Sequence, residues 1–163
     1  MPKKRTKQEL INASEHVCYE IWMLDQVGRA LAYGLTGIEP LHNALINSFA
    51  IHARNLIDFL YKAKAEVKSD MIIAEHYFSD PEKWKTIRSE KTNDLKHAKI
   101  RCDKQVAHLT YTRQRKENWN FAAIAREIFA LISVFLDNID HGLLGEHCQS
   151  IYYIFPEKFD SRK

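Results

Sequence analysis

Glycine and proline are scarce in this chain, five and four among 163 residues. Sheets joined by many tight turns use both freely, so the shortage favours helices. Cysteine is sparse as well. Cys18, Cys102 and Cys148 are far apart, odd in number and contain no Cys-x-x-Cys. That excludes a zinc ribbon or a vicinal redox pair, and the three read as small buried hydrophobes in a reducing compartment. There is no run of eighteen apolar residues, so no transmembrane helix and no membrane partner are expected. Lys3, Lys4 and Arg5 lead into Thr6-Lys7-Gln8-Glu9 rather than into the apolar core of a signal peptide, which points to the cytoplasm. The net charge of +3 is too small to argue for nucleic acid by itself. No phosphate-cradling glycine loop, Gly-x-Ser-x-Gly elbow or His-Glu-x-x-His is present. His141, His147 and Cys148 are ligand types, but their spacing matches no standard metal site, so neither metal nor cofactor is assigned.

What is present is the balance of a soluble globular domain, 45% apolar and 28% charged. The length suits one domain, residues 1–163, with a basic tail at 1–6. Apolar residues spaced by three and four predict helices over Lys7–Tyr33, Pro40–Lys62, Asn93–Leu109 and Trp119–Ile139. Gly34 and Gly37 stop the first, and Pro40 suits the first turn of the second. The second carries the seam Leu41, Leu45, Phe49, His52, Leu56 and Phe59, with Arg54 and Asp58 four apart and able to pair. Between the second and third helices, residues 64–91 form an insertion long enough to pack on the domain. Within it, 71–78 reads as a short helix or an extended segment, and Asp80 before Pro81 reads as a cap for a short helix through Trp84 and Ile87. Thr92 or Asn93 caps the third helix, whose seam is Leu95, Ala98, Cys102, Val106 and Leu109. Phe121, Ile124, Ile128, Leu131, Phe135 and Ile139 form the seam of the fourth. The tail, 142–163, is apolar enough at 151–155 to pack back on the domain or on a second subunit. The expected fold is all-α: an up-and-down four-helix bundle with a structured insertion between helices 2 and 3.

The third helix carries the chemistry. Arg101 and His108 are seven residues apart, two turns, so they leave one face about 10.5 Å apart along the axis. A permanently charged guanidinium and an imidazole that titrates near neutrality are two parts needed to cleave a phosphodiester without a metal. Asp103 and Lys104 lie between them. Tyr111 follows, and Arg113, Arg115 and Lys116 make a basic turn suited to phosphate contact.

The Arg-x6-His spacing, with Asp103, Lys104 and Ala107-His108, resembles the signature of HEPN proteins. These are small all-helical domains, many of them ribonucleases of toxin–antitoxin, abortive-infection and CRISPR systems. Arg101 and His108 match at the long end of the family's spacing. Cys102 stands where a polar residue is usual, with Asp103 next to it. The 103–108 stretch is similar to the abortive-infection branch, with Asp103 in place of Asn. Tyr111 stands three residues after the histidine, whereas the branch paired with nucleotidyltransferases has its tyrosine two after.

The resemblance implies a metal-independent endoribonuclease acting on RNA. It implies a homodimer that brings two copies of Arg101 and His108 into one composite cleft, and an antitoxin or other protein partner. Asp103, Lys104, Tyr111 and His52 would support the site. The residues alone leave other readings open. Arg101 and His108 also suit a structural pair, and His52 suits a core histidine bonded to a carbonyl or a buried group under the third helix. The whole chain also suits a non-catalytic dimerisation or partner-binding module, or a nucleotide-binding regulator using Arg101 and the basic turn.

Overall fold

The computed structural model describes residues 5–35, 37–68, 70–106 and 119–159. Among these there is no strand, and the chain is all-α. The expectation for 1–6 therefore rests mostly outside the described residues, as does that for 160–163.

Helix α1 runs Lys7–Ala32. Thr6 begins it, accepting the Glu9 N–H (3.2 Å) while the Glu9 carboxylate accepts the Thr6 N–H (2.7 Å). This reciprocal box satisfies two of the amides that every helix start leaves unpaired. The helix stops before Gly34 and Gly37, whose φ values of 64° and 47° suit only glycine without strain. Helix α2 runs Glu39–Tyr61 with Pro40 in its first turn. Phe49, His52, Leu56 and Phe59 are buried as their spacing predicts. Leu41 departs from the expected seam, at 45% exposed, because the first turns of α2 extend beyond the packed core.

The insertion is structured. Short 3-10 turns at Lys64–Glu66 and Ala74–Tyr77 lead into α3, Pro81–Ile87, which Asp80 caps by accepting the Glu82 N–H at 3.0 Å. Ile73 and Phe78 are extended and 74–77 form one turn between them, so both readings of 71–78 apply to parts of it. Ile73, Ala74 and Trp84 are fully buried. The Trp84 indole donates to the Leu60 carbonyl (2.8 Å), and Tyr77 donates to the Leu10 carbonyl (3.0 Å). The insertion thus completes the core rather than lying over it.

Helix α4, Asn93–Arg101, starts at Thr92, which accepts the Leu95 N–H and so decides between the two candidate caps. Leu95, Ala98 and Cys102 are buried. The helix then widens into a π turn, Cys102–Val106. The predicted end at Leu109 lies outside the described residues. Helix α5, Phe121–Asn138, is capped by Asn120 and buries Ile124, Ile128, Leu131 and Phe135. Phe135 is the centre of the core, meeting Phe59, Tyr77, Phe78 and Trp84 at ring-centroid distances of 5.2–6.1 Å, mostly edge-on.

The tail returns to the domain. Turns at His141–Leu143 and Glu146–Ile151 and a short helix α6, Pro156–Phe159, bring Cys148, Ile151 and Phe155 into the core. Three anchor points fasten the tail to one face of α1. Ser14 accepts the Gly145 N–H (2.8 Å), Cys18 forms a disulfide with Cys148 (Cα–Cα 5.2 Å), and Asp25 accepts the Tyr153 hydroxyl (3.0 Å). Gly145 eases the close approach there, since a Cβ would fall 2.5 Å from the Glu15 side chain and push it aside. The expectation of three unpaired cysteines is corrected: only Cys102 is a free buried thiol. The error came from reading local spacing, because 130 residues separate the partners. Among the described residues no helix is long and apolar enough to cross a membrane.

Candidate functional site

Arg101 closes α4 and is half-buried. Its guanidinium carbon lies 4.2 Å from the centroid of the Trp119 ring. At that distance the ring's quadrupole attracts the charge and fixes its position. Trp119 is the first described residue after 107–118, so the chain leaves α4 near Arg101 and comes back beside it. Trp119 in turn lies parallel to Phe121, with centroids 6.0 Å apart. Sequence reasoning named Trp119 only as a helix start; an aromatic residue opening a helix gives no sign of a cation from another element.

Asp103 sits in the π turn and is held from two sides. Lys99, one turn earlier, donates to one carboxylate oxygen at 2.7 Å, and Arg54 of α2 donates to the other. Lys99 also reaches Asp58 (3.3 Å), which pairs with Lys62 (3.1 Å). The expected Arg54–Asp58 pair is therefore corrected: each of the two partners a residue elsewhere, because α4 brings a second base, Lys99, and the π turn after it a second acid, Asp103, to this face. Partial burial pushes the Asp103 carboxyl upward, but the bonds and charges of Lys99 and Arg54 outweigh it and hold it below its ordinary value. Cys102, the position that departs from the family pattern, faces the core. Burial, aided by the Asp103 charge, pushes its thiol up to about 12, so it is inert near neutrality.

A carboxyl lowered on folding stabilises the fold above its unfolded value, about 3.9, and loses that contribution as pH falls through its lower folded value. Asp103→Asn should therefore flatten part of the loss of stability below pH ~4. At neutral pH it should cost under about 1 kcal/mol, since Arg54 and Asp103 are 41% and 38% exposed and water screens them. Urea titrations of both proteins across pH check this.

Lys104 also lies in the π turn. His52 is buried in α2, but its partners are on α1. Its Nδ1 lies 2.7 Å from the Glu20 carboxylate, which also accepts from Asn55 (3.1 Å), and its ring meets Tyr19 edge-on. The bonded group is thus a carboxylate rather than a carbonyl, and it joins α1 to α2. Glu20 was not singled out beforehand, and its distance in sequence from His52 explains why. His108, Tyr111, Arg113, Arg115 and Lys116 lie outside the described residues. The described part of the site is therefore Arg101, Asp103 and Lys104 with their supports.

His141 and Cys148 have other engagements, His141 Nε2 at 2.9 Å from the Leu136 carbonyl and Cys148 in the disulfide. Among the described residues no three metal-ligating side chains gather. No family model, no curated protein and no solved structure matches this chain.

Proposed function

We propose that the chain is an HEPN-like endoribonuclease of a bacterial defence or toxin–antitoxin type. In this reading the helices form an up-and-down four-helix bundle, and two copies pair through the third of the four long helices, which begins with α4. The observation that supports it most is the anchoring of Arg101 and Asp103: Trp119 holds the first, and Arg54 and Lys99 hold the second. A cation fixed before substrate arrives stabilises charge developing on a phosphate without reorganising during the reaction. His108, two residues beyond the described end of the π turn, supplies the proton transfer. The RNA 2′-hydroxyl attacks the adjacent phosphorus and gives up its proton. The 5′-oxygen leaves and takes one, and the product keeps a 2′,3′-cyclic phosphate. Two His108 side chains across a two-fold axis divide the base and acid roles.

The expected result is cleavage of single-stranded RNA in EDTA with cyclic-phosphate ends. His108→Ala should reduce it by about 10²–10⁴-fold. Arg101→Lys should rescue poorly, because an ammonium lacks the guanidinium fork. Light scattering should show a dimer. Cleavage that survives His108→Ala removes the assigned site.

One observation favours the interaction-module reading instead. Tyr33, Leu35, Ile38 and Leu41 are 45–73% exposed around the α1–α2 connection, an apolar cluster of the kind that binds proteins. If purified protein leaves RNA intact and substitutions in this cluster abolish binding to a protein partner, that reading holds.

A further inference from the structure

A second site lies between the C-terminal half of α1 and the first turns of α5. There a cavity of about 500 Å³ opens to the surface, within the range of small-molecule sites. Leu24, Gly28 and Ala32 form one wall, and Phe121, Ala125 and Phe129 the other. Each set steps by four along its helix, so both helices turn one face to the space.

Gly28 is the informative wall residue. It sits inside a 26-residue helix, where glycine costs about 1 kcal/mol relative to alanine. Its φ is not in the left-handed region, and a Cβ would meet Phe49 at 3.6 Å, an ordinary contact. Neither backbone nor packing requires a glycine here. What glycine does provide at this position is room in the cavity.

The polar end of the cavity is an ion pair. Asp25 is buried, and its acceptor capacity is heavily used: it takes the Arg29 Nε at 2.8 and 3.0 Å, the Tyr153 hydroxyl at 3.0 Å and the Gln26 amide at 3.1 Å. Arg29 lends only its Nε to this pair, and 54% of its side chain is exposed. A ligand entering the cavity meets guanidinium donors, and the neighbouring carboxylate is already satisfied. Two parallel N–H donors suit a carboxylate. Apart from Asn120, whose side chain caps α5, the remaining walls are apolar. The rings of Trp119 and Phe121 are held parallel, with Phe121 also fixed edge-on by Phe49 (5.0 Å).

We propose that this cavity binds an aromatic monocarboxylate, its ring between the Gly28–Ala32 wall and Phe121–Phe129 and its carboxylate on Arg29. The cavity adjoins the Arg101 site, since Trp119 lines it and also holds Arg101, but its ligand needs no RNA chemistry. A nucleotide is the poorer fit, because its sugar, base edge and phosphate ask for more polar partners than one arginine.

The test is calorimetric titration of the full chain with 2-naphthoate and with its neutral isostere 2-naphthamide. Naphthoate should bind at least about tenfold more tightly than the amide. Arg29→Gln should reduce naphthoate to the level of the amide. Ala125→Leu, which fills the cavity, should abolish both; if it fails to fold, Ala32→Leu at the exposed end of α1 does the same work. Equal binding of acid and amide overturns the proposal, as does binding unchanged by the filling variant or no heat at millimolar naphthoate. AMP binding in place of naphthoate also overturns it. So does a self-association, seen by light scattering, that Ala125→Leu disrupts, since a second copy would then occupy the groove. RNA cleavage is no part of the readout, so either proposal can fail without the other.

Discussion

Reduction of the Cys18–Cys148 bond should produce the largest single loss of stability in this chain. The bridge closes a loop across 130 residues, nearly the whole domain. By the chain-entropy argument such a loop is worth about 4–5 kcal/mol, because the cross-link restricts the unfolded chain far more than the folded one. For a domain of this size that corresponds to a fall of ~10 °C or more in Tm. Calorimetry with and without a non-thiol reductant measures it, and the Cys18→Ala/Cys148→Ala double variant should reproduce the reduced value. The other two anchors, Ser14 to Gly145 and Asp25 to Tyr153, remain after reduction, so the tail should stay docked in the cold. Intact-mass analysis of alkylated protein decides the premise: one thiol should react after unfolding without reductant and three with it. Equal Tm values in the two conditions would mean that the bridge contributes nothing.

That bridge also marks the limit of what a sequence shows. Helices were legible because their signal is local. Leu95, Ala98 and Cys102 step by three and four, and all three are buried. The Asp80 cap before Pro81 needs only its own neighbours, and it is present. The fate of the first turn of α2 was not legible, since Leu41 continues the apolar seam without any sign that the packed core stops short of it, whereas Leu45 one turn later packs against that core. The candidate site divides in the same way. Arg101 was singled out by its spacing from His108, and Asp103 by the family resemblance. Their anchors Trp119 and Arg54 come from other helices, and no spacing rule connects residues that only folding brings together. Cys18 and Cys148 are the extreme case. The hints were the apolar tail at 151–155 and the position of Cys18 one turn after Ser14, both of them clear only once the tail is seen lying on α1.

The second large effect should come from Trp84, which belongs to the insertion but behaves as a core residue. It is fully buried, stacks on Phe78 with centroids 5.6 Å apart, and meets Phe135 edge-on at 5.8 Å. Trp84→Ala should cost about 3–5 kcal/mol in urea denaturation, from lost burial and the cavity left between α3 and α5. The indole hydrogen bond contributes a small part of that. Its acceptor, the Leu60 carbonyl, also takes a bond from Arg88 at 2.6 Å, so removing the indole leaves no orphaned carbonyl. Trp84→Phe keeps most of the ring and loses the bond, and should therefore cost only about 1–2 kcal/mol. If phenylalanine costs as much as alanine, the hydrogen bond rather than the ring volume holds the insertion in place. The shape of the transition carries a second test. Because Trp84 shares Phe135 with Phe59 and Tyr77, the insertion and the long helices have one core, and both variants should unfold in one step. An early transition confined to the insertion would mean that residues 64–91 form a separate unit, and that α2 and α5 hold together without it.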